Sequence, residues 1–302
     1  MISADDIILR YSGGPFNEDA EGSLGGLISS IAVESGALEN LFPNVAKVNT
    51  NLYRTEYRAI YVLNRSSTET FYNAVVWAED TKEDLGGAEV KIGIPTQTEV
   101  QRIVISDSDK TTGGSFTLKF GSYLMTIDWA GDTGTGDNLE HAFQSIPSFC
   151  EIQVTTLSEA TQVTYDITFS GGGRNTLQPT IIVEQNLLTS TIGVPDMTVS
   201  VVQQGSPIND IATDVAFGNN PPVGVTFVET SDVSAIDIGN IGPGGSCYIW
   251  VQRYLAPGTT AAYFHDGFTL KIRGETSDLK LTTLTYCQLV HLSYPQLELL
   301  PY

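Results

Sequence analysis

QTEVQRIVISDSD (Gln97–Asp109), GGSFTLKFGSYLMTIDWAG (Gly113–Gly131), GDNLEHAFQSIP (Gly136–Pro147), CEIQVTT (Cys150–Thr156), TQVTYDITFSGGG (Thr161–Gly173), PTIIVEQ (Pro179–Gln185) and MTVSVVQQGSP (Met197–Pro207) follow one another in the middle of the chain. VQRIVIS, SFTLKF and YLMTIDW read as three strands, with Gly113-Gly114 and Gly121-Ser122 as the turns between them. One helix follows. Asp137 is placed to cap it, and Glu140 stands three residues on, as in a capping box. Leu139, Ala142, Phe143 and Ile146 then share one apolar face, and Pro147 ends the helix. The remaining runs return to strands. The order strand, strand, strand, helix, strand, strand predicts a self-contained β-domain over 97–207.

Outward from this block, TEYRAIYVLN, FYNAVVWAED and AEVKIGIP precede it, and VGVTFVE, SAIDIGNI, GSCYIWVQRYL and FTLKIRGE follow it. These alternate as strands do and are bounded by Asn, Ser, Pro and Gly turns. The short link NRSST predicts a hairpin between the first two, with all three leading runs on one antiparallel sheet. Residues 12–26, SGGPFNEDAEGSLGG, are too rich in breakers for a helix; they form an extended arm or a long ordered loop. The simplest arrangement is one β-sandwich built from both ends of the chain, 1–96 and 208–302, interrupted by the 97–207 block. Insertions are tolerated at exposed loop tips whose ends lie close together.

Composition narrows the function classes. The 302 residues carry 35 acids against 15 bases, a net charge of −20. That argues against nucleic acid, which needs a basic patch, and against an anionic membrane surface. No apolar run is long enough to span a membrane. Three cysteines, Cys150, Cys247 and Cys287, lack the spacing of a disulfide framework. The start, MISADDIILRYSGG, is no signal peptide. The tail is apolar: Leu289, Leu292, Leu297, Leu299 and Leu300 either add to the chain's own sheet or dock on a neighbouring subunit.

The middle block resembles the immunoglobulin-like modules of tailed-bacteriophage virion proteins. The carriers are EVQ at Glu99–Gln101, GGSFTLKF at Gly113–Phe120, AFQSIP at Ala142–Pro147, YDITFSG at Tyr165–Gly171 and VVQQGSP at Val201–Pro207. It departs in the helix, where NLEHAFQSI replaces an Ala-rich run. The flanking segments resemble a second group of tailed-phage virion proteins through DDIILRYSGG (Asp5–Gly14), SLGGLIS (Ser23–Ser29), TEYRAIYVLN (Thr55–Asn64), NAVVW (Asn73–Trp77), IGNIGPGGSCYIWVQRYL (Ile238–Leu255) and FTLKIRGET (Phe268–Thr276). Both resemblances imply a virion structural component rather than an enzyme.

No catalytic constellation emerges. His141, His265 and His291 lie far apart and lack zinc-site spacing. His265-Asp266 has no G-x-S-x-G partner, and the many acids sit in turns that favour Asp for its own hydrogen bonding. Asp107 and Asp109, and Asp132 and Asp137 of the DTGTGD loop, offer hard oxygens to a structural calcium ion, although neither stretch matches an EF-hand and solvated turns use the same residues. Trp77 and Trp250 lie inside alternating strands and read as core. Trp129 follows a strand and reads as exposed, a platform for a sugar.

The sequence therefore predicts an all-β protein: a split β-sandwich with an inserted immunoglobulin-like β-sandwich carrying one short helix. The expected role is non-enzymatic, without a cofactor. The chain would be a virion component assembled in the host cytoplasm, a homo-oligomer contacting itself and other capsid or tail proteins. Capsid decoration is slightly favoured over a neck or tail appendage. The competing reading is a tail adhesin that binds a host surface glycan through Trp129.

Overall fold

The computed structural model describes residues 4–37, 40–42, 53–80, 88–146, 152–169, 178–205, 221–257, 268–276 and 281–288. The strands, in chain order, are β1 (Ile7–Tyr11), β2 (Arg54–Asn64), β3 (Phe71–Asp80), β4 (Ala88–Pro95), β5 (Val100–Ser106), β6 (Thr111–Gly113), β7 (Ser115–Phe120) and β8 (Tyr123–Asp128). After the helix α1 (Gly131–Gln144) come β9 (Ile152–Ser158), β10 (Gln162–Phe169), β11 (Ile181–Asn186), β12 (Thr189–Ser190), β13 (Met197–Gln203), β14 (Val225–Val228), β15 (Ile236–Ile241), β16 (Ser246–Leu255), β17 (Phe268–Glu275) and β18 (Leu281–Gln288). The class is all-β, as the alternating sequence predicts.

Two sheets draw strands from both ends of the chain. One has the order β1-β2-β16-β4-β14 and the other β15-β3-β17-β18, and every pairing within them is antiparallel. Their facing sides enclose one core, in which Ile60, Val62, Ile92, Ile249 and Val251 meet Phe71, Val76, Ile238, Phe268, Leu270 and Ile272. A second, smaller cluster lies on the outer side of the first sheet, where Tyr57, Ala59, Tyr61, Tyr248 and Trp250 pack with Ile28, Val225 and Phe227. Gly93 makes this possible, because a Cβ there would overlap Val225 and Phe227; its bare backbone lets Phe227 reach within 5.2 Å of the Tyr57 ring.

The expected hairpin between β2 and β3 does not form: β2 and β4 share a sheet as expected, but β3 lies in the other one. Both edges of β2 are already taken, by β1 and by β16, so β3 crosses to the opposite sheet. The Asn64 side chain braces the crossing by donating to Glu69 O at 2.8 Å and Ile241 O at 2.9 Å. A short polar link fits a hairpin and a sheet-to-sheet crossing equally well. β18 pairs along the whole of β17, so the first part of the apolar tail joins its own sheet. Leu289, Leu292, Leu297, Leu299 and Leu300 lie outside the described residues.

The middle block forms its own sheets, ordered β13-β5-β10-β9, β11-β7-β8 and β12-β6. Ile103, Ile105, Val163, Tyr165 and Ile167 face Phe116, Leu118, Phe120, Met125 and Ile127 across a separate core. The helix closes it with Leu139, Phe143 and Ile146, the face expected from the sequence. Phe143 meets Phe120 edge-on at 5.4 Å and Phe169 edge-on at 6.2 Å. The helix start differs from expectation. It begins at Gly131 after Ala130, so Asp137 lies inside it and caps nothing. Glu140 turns to the edge strand instead and accepts from Val154 N at 3.1 Å, which occupies an edge that would otherwise be open to pairing.

Candidate functional site

The segment between Ser12 and Ile31 is an ordered loop, fastened at many points. Gly14 N donates to Leu27 O at 2.7 Å and Ser29 N to Tyr11 O at 2.8 Å. The Asn17 amide donates to Ser12 O at 2.5 Å, Asp19 O at 2.9 Å and Ser23 Oγ at 3.2 Å. Gly13 (φ 96°) faces Gly22 so closely that a Cβ there would overlap the Gly22 carbonyl. The loop is tied to the sheet by Ala59 N donating to Ser23 O at 2.8 Å and Tyr61 OH donating to Gly26 O at 2.8 Å. On this fixed frame Phe16 is 93 % exposed and Leu27 67 % exposed. Pro15 O receives both Ser30 N and Ser30 Oγ, so Phe16 does not owe its exposure to a frayed backbone. An aromatic held in water on a rigid loop is poised to enter a partner pocket with little loss of chain entropy.

The EVQ motif has a structural role. Glu99 and Gln101 are buried. Glu99 accepts from Gln101 Nε2 at 2.5 Å, Gln178 N at 2.8 Å and Gly205 N at 3.3 Å. Gln101 donates to Pro179 O at 2.8 Å and accepts from Ile181 N at 2.7 Å. These two side chains join the start of β5 to the segment entering β11 and the end of β13, where the middle block meets the rest of the chain. Glu99→Ala would leave buried donors without their acceptor and should destabilise the block by about 2 kcal/mol; a denaturant titration followed through Trp129 measures it.

The acids considered as calcium ligands stand at two separate places, as the sequence has them. Asp107 (φ 52°) accepts from Lys110 Nζ at 2.8 Å, and Asp109 is exposed. Asp132 and Asp137 belong to the helix rather than to a loop, and the Asp137 carbonyl is hydrogen-bonded to His141 Nδ1 at 2.8 Å. Among the described residues no group of three or more His, Cys, Asp or Glu side chains is arranged to hold a metal ion. Trp129 is not the exposed platform expected of it. It is half-buried and packs against the core of the middle block. Trp77 and Trp250 are buried, as expected. His265 and His291 fall outside the described residues, and Cys247 is buried. No helix among the described residues is long and apolar enough to cross a membrane.

No family model and no curated protein matches the chain. Among solved structures, the D2–D3 domains of the flagellar cap protein FliD from Escherichia coli match with a TM-score of 0.22 at 12 % identity, over 68 % of this chain and 100 % of that one. FliD from Pseudomonas aeruginosa matches with a TM-score of 0.22 at 13 % identity, over 71 % of this chain and 85 % of that one. Overlaps this low carry no argument about fold or function. The loop is legible in the sequence but the exposure of Phe16 is not, because a single aromatic stands there among glycines and acids.

Proposed function

We propose that the chain is a non-enzymatic structural component of a tailed-phage virion, acting through assembly. In this reading 1–96 and 208–302 form the domain that anchors it to the particle, and 97–207 is an immunoglobulin-like insertion that projects from it. The protein would sit at an accessory position, as capsid decoration or at the neck or tail, in a homo-oligomer. The motif resemblances supply the context. The single observation that carries the assembly role is the rigid Phe16 loop on the split sandwich, with Phe16 and Leu27 held in water. An aromatic anchor of this kind typically contributes about 2 kcal/mol or more, roughly thirtyfold in affinity. Phe16→Ser should therefore leave the thermal midpoint unchanged, since the side chain touches little, while cutting incorporation into particles by that factor. Quantitative electrophoresis of purified virions checks it; wild-type incorporation of the variant would remove this loop from the anchoring surface.

A further inference from the structure

We propose that the end of the middle block remote from Glu99 and Gly205 is a docking surface for a protein partner that is aliphatic at its centre and basic at its rim. This inference does not depend on the virion reading. The segment Leu187–Pro195 is pinned from inside and outside. Leu188 and Pro195 are buried, with Leu188 in the core. Asn186 Nδ2 closes the loop on Pro195 O at 2.8 Å, Thr191 N donates to Lys110 O at 3.2 Å, and Ser190 Oγ donates to Gly193 O at 2.5 Å. Gly114 lies so close that a Cβ there would overlap the Leu187 carbonyl. Between these fixed points Leu187, Ile192 and Val194 are 54 %, 62 % and 66 % exposed.

Scattered single aliphatics on a surface mean nothing. Three on one clamped loop, beside two buried neighbours that set its register, are a shaped apolar feature held ready for contact. Charge decides what covers it. Ser106 N donates to Asp196 O, and Ser106 pairs with Gln162. Asp107, Asp109, Glu159 and Asp196 therefore gather at this end. Lys110 beside them is bound to Asp107 at 2.8 Å. A second copy would bring the same carboxylates face to face, and an anionic membrane would be repelled. A glycan would call for an aromatic platform, which Leu187, Ile192 and Val194 do not supply. A basic-rimmed apolar protein surface satisfies both the aliphatic side chains and the carboxylates.

The test uses the full chain and two fluorescent peptides of equal charge, one alternating Leu and Lys and the other built from Lys and Gly. Fluorescence anisotropy should show the Leu/Lys peptide binding at least about tenfold more tightly. The variant Leu187→Ser/Ile192→Ser/Val194→Ser should abolish that difference without changing the thermal midpoint. Asp109→Asn/Asp196→Asn should weaken the salt dependence of binding. Equal affinity for the two peptides, or a preference that survives in the triple variant, would overturn the proposal. So would dimerisation or glycan-array binding that the triple variant abolishes, because the occupant would then be a second copy or a sugar.

Discussion

Glu56→Ala should destabilise the split sandwich by about 3–5 kcal/mol. Glu56 is fully buried on β2, opposite Arg253 of β16, and accepts from two guanidinium groups. Arg253 donates to it through Nε at 2.8 Å and also through Nη2, and Arg54 donates from Nη2 at 2.6 Å. Arg58 is buried beside them and donates to Tyr57 O at 2.8 Å. The Arg253 and Arg58 guanidinium groups lie 4.7 Å and 5.4 Å from the Phe42 ring centre, so the ring face supplies part of their environment. Burial pushes both groups below their ordinary pKa, and Glu56 opposes that shift. Removing the carboxylate leaves buried cations without their main counter-charge. Removing both charges, in Glu56→Leu/Arg253→Leu, should recover part of the loss, because a buried pair is worth far less than one broken member costs. Denaturant titration followed by fluorescence of the buried Trp77 and Trp250 gives both numbers.

Phe143→Ala should cost the middle block about 3–5 kcal/mol. Its ring packs edge-on against both Phe120 and Phe169 under the helix, so truncation opens a cavity beside that stacked pair, whose centres are 5.4 Å apart. The two cores share no member. The loss should therefore appear in the Trp129 signal of the block and leave the Trp77 and Trp250 transition in place. The double variant Glu56→Ala/Phe143→Ala should show both losses added, as expected for sites without shared partners. A Phe143→Ala transition that shifts all three tryptophans together would mean that the two sandwiches unfold as one unit.

Where one residue pattern maps to one environment, the sequence is readable. Leu139, Phe143 and Ile146 need only the helical period, and they are where that period puts them. The inward residues of β5 and β10 follow from simple alternation. The start of the helix was hidden because GDTGTGD looks like a loop. Gly136 is a glycine for packing: a Cβ would overlap Thr156 Oγ1 on β9. The β2–β3 crossing was hidden because both faces of β2 are buried, Ile60 and Val62 inside the sandwich and Tyr57, Ala59 and Tyr61 under the Ser12–Ile31 loop. Alternation then carries no label for inside or outside. Trp129 departs from the expectation because a residue just after a strand can fold back; its backbone N–H donates to Gly114 O at 2.9 Å and the indole packs against the core. The exposure of Phe16 depends on a hydrogen-bond frame around Asn17, which no periodicity encodes.

Cryo-electron microscopy of the proposed virion tests the central claim most directly. The account predicts ordered, multi-copy density in which the split sandwich lies against the particle, with the Phe16 loop at the contact, and the 97–207 block points into solvent. Density with the 97–207 block against the particle and the split sandwich outward, or particles from which the chain is absent, would contradict it.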